Sequence, residues 1–159
     1  MSISLGNMKR INDHLGIDIS VEIGPELLEF LILWNLFEKR LFNNRFSITE
    51  AIRKDVKVSS ASLDATLAYF KKRYIENGQT NSKFDALSFR CKDRKNNVAN
   101  ILCDVPDVIL NRSTAVQIII YRLRNNLFHE LKEVETLSSN KATFLIVNEF
   151  LLSCLEENK

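Results

Sequence analysis

Turn-forming residues are scarce in this chain, and their scarcity limits its possible folds more than any other feature. Only 4 Gly and 2 Pro occur among 159 residues. Sandwiches and barrels need a turn signal roughly every ten residues, whereas long helices need few. The expectation is an all-α chain, a bundle of about four to six helices. A chain of this length is expected to be one domain, residues 1–159, and large enough to bury a core without a metal or a disulfide.

The hydrophobic spacing supports helices in several places. Gly24-Pro25 opens one, since Pro at the first helical position gives up a donor the helix does not use. Leu27, Phe30, Leu31, Trp34, Phe37 and Leu41 follow at i, i+3 and i+4 spacing, and Asn43-Asn44 is a stop. Ser47-Ile48-Thr49-Glu50 is a capping box for a short helix through about Val56. The serines at 59–62 start a third helix to about Glu76, with Leu63, Leu67, Phe70 and Tyr74 as its stripe and Asn77-Gly78 as its C-cap. A short helix is expected over Asn97 to Cys103, before Pro106. A long one runs from Asn111–Ser113 to about Leu137, carrying Val116, Ile119, Ile120, Leu123, Leu127, Leu131 and Val134. Asn140 caps the last helix. Residues 1–23 are weakly patterned, and 79–100 are polar and irregular.

Charge and cysteine content bound the setting. Lys plus Arg total 22 and Asp plus Glu 20, so the net charge is +2 and a uniformly basic nucleic-acid coat is excluded. The longest apolar runs, 30–34 and 116–121 (with Gln117 inside), are far too short to cross a bilayer. Cys91, Cys103 and Cys154 form no paired motif, and the N-terminus lacks the apolar core of a signal peptide. The expectation is a cytoplasmic protein with reduced thiols and no membrane association. Cys91 and Cys103 are twelve apart with no His nearby, which is not zinc-ligand spacing. Gly-rich phosphate loops and nucleophile elbows are absent, so no cofactor is expected.

Only two His occur, which shortens the list of groups that titrate near neutrality. His14 lies in the weakly patterned N-terminal segment and reads as a surface residue. His129 closes the string Tyr121-Arg122-Leu123-Arg124-Asn125-Asn126-Leu127-Phe128-His129. On a continuous helix Asn125 and His129 are neighbours at i, i+4, and the long stem of Arg124 reaches the same patch. An imidazole moves a proton, a guanidinium holds a developing phosphorane charge with two parallel bonds, and an amide orients either partner. That combination suits phosphodiester cleavage without a metal. The competing reading is a solvated polar face on a bundle helix. Between Asn111 and His129 stand Arg112, Arg122 and Arg124 with no acid, and Lys71-Lys72-Arg73 and Lys92 to Lys95 are candidate extensions of a basic surface.

The string Arg124 to His129, placed after an apolar run in the penultimate helix, resembles the R-x4-6-H motif of the HEPN superfamily. The residue after the Arg is usually small and polar in that family, and here it is Asn125. Phe30 to Glu38 is similar to the family's first core helix, and the resemblance spans about residues 24–157. Many relatives place Gly after the His, where this chain has Glu130 and a continuing helical pattern. The resemblance implies a metal-independent RNA endonuclease, with Arg124, Asn125 and His129 as its catalytic residues. It also implies a homodimer paired through the helix carrying 121–129. The reaction it implies is 2′-OH attack on the adjacent phosphorus, for which DNA is not a substrate. Such proteins act as toxins or in anti-phage defence, often beside an antitoxin such as a nucleotidyltransferase. Other members keep the fold and only bind nucleotides or partner proteins, which is the alternative function.

Overall fold

The computed structural model describes residues 5–15, 24–127 and 137–159. Eight helices are found among them, joined by one two-stranded hairpin, so the all-α expectation holds. In chain order these are α1 (Leu5–Leu15), α2 (Gly24–Phe42), α3 (Ile48–Arg53), α4 (Ser60–Tyr74), β1 (Ile75–Glu76), β2 (Gln79–Thr80), α5 (Ser82–Asp85), α6 (Lys95–Leu102), α7 (Arg112–Asn125) and α8 (Leu137–Glu157). No helix among the described residues is long and apolar enough to cross a membrane.

Local chemistry sets most boundaries. Ser47 accepts from the Glu50 N–H, Ser59 from the Ser62 N–H and Asn111 from the Ser113 N–H, so α3, α4 and α7 each start on a side-chain cap. Glu26 in the first turn of α2 and Lys39 and Arg40 in its last complement the helix dipole. Asn43 and Asn44 end that helix in left-handed conformations, which Asn tolerates better than most residues.

Three boundaries differ from the sequence expectation. The third helix stops at Tyr74, and Asn77-Gly78 is a hairpin turn and not a helix cap. Ile75 pairs with Thr80 and Glu76 with Gln79. Asn77 and Gly78 both have positive φ (53° and 76°), the backbone a two-residue type I′ turn requires. Asn81 secures the hairpin: its amide donates to the Arg73 carbonyl at 2.8 Å and its oxygen caps α5 at Phe84. α7 ends at Asn125, with Asn126 as its C-cap and Leu127 helical again, and the expected continuation over 128–136, with Leu131 and Val134, lies outside the described residues. The Asn126 amide donates to the Leu87 carbonyl at 2.6 Å, a side-chain-to-backbone bond that competes with helix continuation. Finally, α8 begins at Leu137, so Asn140 lies inside it, buried, and does not cap it.

The most extensive helix contact joins α2 to α8, and α4 lies against α8 as well. Phe30 meets Phe144 at 5.3 Å between ring centroids, and the Asn148 amide donates to the Glu26 carbonyl, so the two helices run antiparallel. α7 contacts α3, α4 and α6. Residues 113–120 of α7 are all buried, which marks it as the central helix and not a surface one. Two of its polar members donate hydrogen bonds inside: Thr114 to the Ala51 carbonyl and the Gln117 amide N–H to Ser113 Oγ.

Cys154 sits in the core on α8, fully buried, and desolvation pushes its thiol up to about 12. A raised thiol pKa keeps the side chain protonated and unreactive at mildly alkaline pH. In the native protein at pH 8, iodoacetamide is expected to modify exposed Cys91 and leave Cys154 intact until the chain is unfolded. Mass mapping checks this, and equal labelling of both cysteines in the folded state would contradict the placement of α8.

Candidate functional site

Four residues near the C-terminal end of α7 are fixed from behind. Tyr121, half-buried, lies 5.0 Å from the Phe46 ring and 6.2 Å from Trp34. Trp34 belongs to an aromatic cluster with Phe37 and Phe46, and its indole N–H donates to Glu38 at 2.9 Å. Leu123 and Leu127 are buried. Arg122 is buried too, at 3% exposure. A helix turns 100° per residue, so with Arg122 and Leu123 inward Arg124 and Asn125 lie on the outer arc, on either side of half-buried Tyr121 one turn before them. Both are exposed, and Arg124 Nη1 donates to Asn125 Oδ1 at 3.1 Å.

Arg122 is the departure from the sequence reading, which placed it in a basic surface beside Arg124. Its Nε donates to the Leu87 carbonyl at 3.0 Å, and its guanidinium lies 3.6 Å from the Asp93 carboxylate. Asp93 is buried and also accepts from the Arg90 N–H at 2.7 Å. Asn126 reaches the same Leu87 carbonyl as Arg122. These bonds fasten the segment 87–93 to the end of α7, and they remove Arg122 from any contact with a ligand.

The other basic candidates divide in the same way. Arg73 is buried with its guanidinium carbon 5.7 Å from the Tyr74 ring centroid, a cation–π contact inside the fold. Lys71 pairs with Asp104, Lys95 with Asp85 at 3.3 Å and Arg112 with Asp64 at 3.2 Å. Lys92 and Arg94, together with Arg53, which pairs with Glu50 at 3.2 Å, line an open cleft of about 420 Å³ with Ile48, Thr49, Ile52 and Cys91. The sequence flagged Lys92 to Lys95 but not Arg53, because forty residues separate α3 from that segment and no local pattern joins them.

Two expected site features lie apart from this description. Phe128, His129 and Glu130 lie outside the described residues, so of the expected 121–129 dimer face the structure describes 121–127. His14 is exposed on α1, as the sequence suggested. No group of three or more His, Cys, Asp or Glu able to hold a metal is found among the described residues.

No protein-family model matches the chain, and no curated protein or solved structure shows significant similarity to it.

The clamp and the exposed pair should respond oppositely to truncation. Asp93→Ala leaves the Arg122 guanidinium buried without its counter-ion, an effect of roughly 3–5 kcal/mol and on the order of 10 °C in melting temperature. Arg124→Ala, at an exposed position, should stay within about 0.5 kcal/mol of wild type. Thermal unfolding of the two variants tests this, and an Asp93→Ala protein that melts with wild type would show that the clamp contributes nothing.

Proposed function

We propose that the chain is a HEPN-type endoribonuclease that cleaves RNA without a metal, as a homodimer, in a cytoplasmic toxin–antitoxin or anti-phage defence role. The observation that carries this reading is the exposed Arg124–Asn125 pair on the last turn of a helix whose other faces are locked into the fold. A guanidinium on a rigid backing is suited to an anion because little side-chain and backbone freedom remains to be lost on binding. The resemblance to the HEPN motif rests on the sequence string and supplies the third member, His129.

In this reaction the ribose 2′-OH attacks the adjacent phosphorus and loses its proton, and the bond from phosphorus to the 5′ oxygen breaks as that oxygen gains one. The products are a 2′,3′-cyclic phosphate and a free 5′-OH. Arg124 holds the non-bridging oxygens as charge builds on them, His129 moves a proton, and Asn125 orients the phosphate or the imidazole. One Arg–His set serves one side of an in-line displacement. A two-fold axis beside this face brings a second set from the other protomer with no added sequence. An antitoxin, such as a nucleotidyltransferase partner, would silence the enzyme by covering the same face.

The purified protein should cut RNA in excess EDTA and leave cyclic phosphate ends, and a deoxyribose at the cut should stop the reaction. His129→Ala should slow cleavage by roughly 10² to 10⁴. Arg124→Ala should cost a factor on the order of 10² to 10³, with poor rescue by Arg124→Lys because a point charge does not replace a planar fork. Equal degradation by wild type and His129→Ala would assign the activity elsewhere. Inactivity on every RNA, together with tight binding of a partner protein, would establish the silent binding module instead.

Dimerisation is a separate expectation. Mass measurement in solution at micromolar concentration, with RNA present, should give twice 18.4 kDa. A strict monomer would remove the second Arg–His set from the mechanism.

A further inference from the structure

The open cleft between α3 and the segment 91–94 is positive for a reason built into the fold. Five residues, 91 to 95, contain three cations and one acid, Asp93. Asp93 is turned inward and held by the Arg90 N–H and Arg122, so its charge is spent inside the protein. Cys91, Lys92 and Arg94 are turned outward, and all three are exposed. Arg94, the residue after Asp93, takes the left-handed conformation (φ 59°) at the start of α6. Arg53 reaches the cleft from α3, sharing its guanidinium with Glu50 at 3.2 Å. Glu50 does not line the cleft. No side chain caps α6, so the partial positive charge of its first turn adds to the same field.

We propose that this cleft binds the phosphate backbone of single-stranded RNA, as a second contact beyond Arg124. The proposal rests on the ribonuclease reading only in taking RNA as the ligand. Three features favour a polymer over a small anion. The cleft is open, its cations come from two separated elements, and each sits on a long exposed stem. That arrangement follows an extended line of charge and does not enclose a single phosphate. The aliphatic side chains of Ile48 and Ile52 form an apolar floor that tolerates any sugar or base face, so the contact is independent of sequence. The cleft is also tied to the proposed reaction site, because the Asp93–Arg122 clamp links segment 91–94 to α7 two residues before Arg124.

A short 2′-O-methyl RNA oligonucleotide tests this, because it lacks the nucleophile and cannot be cut. Cys91 lines the cleft and reports on it directly, and half-buried Cys103, outside the cleft, is the internal control. The oligonucleotide should slow iodoacetamide modification of Cys91 in the wild-type protein and leave Cys103 unchanged. In titrations against salt, the combined variant Arg53→Gln, Lys92→Gln, Arg94→Asn should bind about tenfold to a hundredfold more weakly. Its log–log salt slope should shrink by about two, the value for three lost contacts to a single strand. Asn at position 94 keeps the left-handed backbone accessible. Unchanged Cys91 labelling would overturn the proposal, and so would an unchanged salt slope. Protection by inorganic phosphate at the same phosphate concentration would also overturn it, in favour of a small-anion site. Loss of cleavage by wild type with Cys91 protection intact would sink the nuclease reading alone. Cleavage that depends on Arg124, without protection, would sink the cleft alone.

Discussion

A single buried charge pair, Arg122 with Asp93, organises everything that bears on function here. Both side chains lie inside the protein, at 3% and 5% exposure, and their separation of 3.6 Å is that of an ion pair. Burying two charges carries a desolvation penalty of several kcal/mol per ion, which their attraction offsets only with good geometry and further bonds. Some of those bonds are present: Arg122 donates to the Leu87 carbonyl, and Asp93 accepts from the Arg90 N–H, while Arg122 Nη1 faces Asp93 as an ion pair without a hydrogen bond. Such a pair is a weak source of stability against an apolar replacement, yet it fixes register. Segment 87–93, with no regular structure of its own, is held to α7 by the Arg122–Asp93 pair and by the Arg122 and Asn126 bonds to the Leu87 carbonyl.

The rest of α7 makes that attachment consequential. Eight consecutive residues, 113 to 120, are buried, so the helix has almost no solvent face until its last turn. Tyr121 then packs on Trp34 and Phe46, and Arg122 enters the clamp. Exposure begins with Arg124 and Asn125 because the inward-facing positions are already taken. The polar pair is thus a consequence of where the core ends. It needs no contribution from its own chemistry to hold its place, which leaves that chemistry for a ligand.

Much of this was legible in the sequence, and what was not follows one physical rule. The stripe Leu27 to Leu41, apart from Leu31, which is exposed, and the caps at Ser47, Ser59 and Asn111 are interactions within four residues, and they appear where the spacing placed them. The return bond of the Ser47 capping box does not form, because the Glu50 carboxylate pairs with Arg53. Asn77-Gly78 is punctuation that local sequence leaves ambiguous, since a helix cap and a type I′ turn ask for the same left-handed residues. What decides between them is the pairing of Ile75 with Thr80, two residues beyond the signal. Arg122 defeats local reading altogether. Its neighbours Arg124 and Asn125 made it look like part of a basic surface, while its partner Asp93 lies 29 positions away. Arg53 in the cleft is the same case in reverse, exposed beside cations that the sequence does not place near it.

Net charge is therefore a poor guide to the field this protein presents. The total is +2, but the acids are not spread evenly against the bases. Asp64, Asp85 and Asp104 neutralise Arg112, Lys95 and Lys71 at the surface, and Asp93 neutralises Arg122 within. Lys92 and Arg94 are left facing outward together in the cleft, while Arg124 stands on the outer arc of α7 with an uncharged amide as its described partner. At physiological ionic strength charges are screened beyond about 8 Å, so distant acids do little to cancel these positions. A polyanion meeting the molecule would sense the local cations and not the near-neutral sum. Burial of one aspartate sets that local field as much as the number of basic residues does.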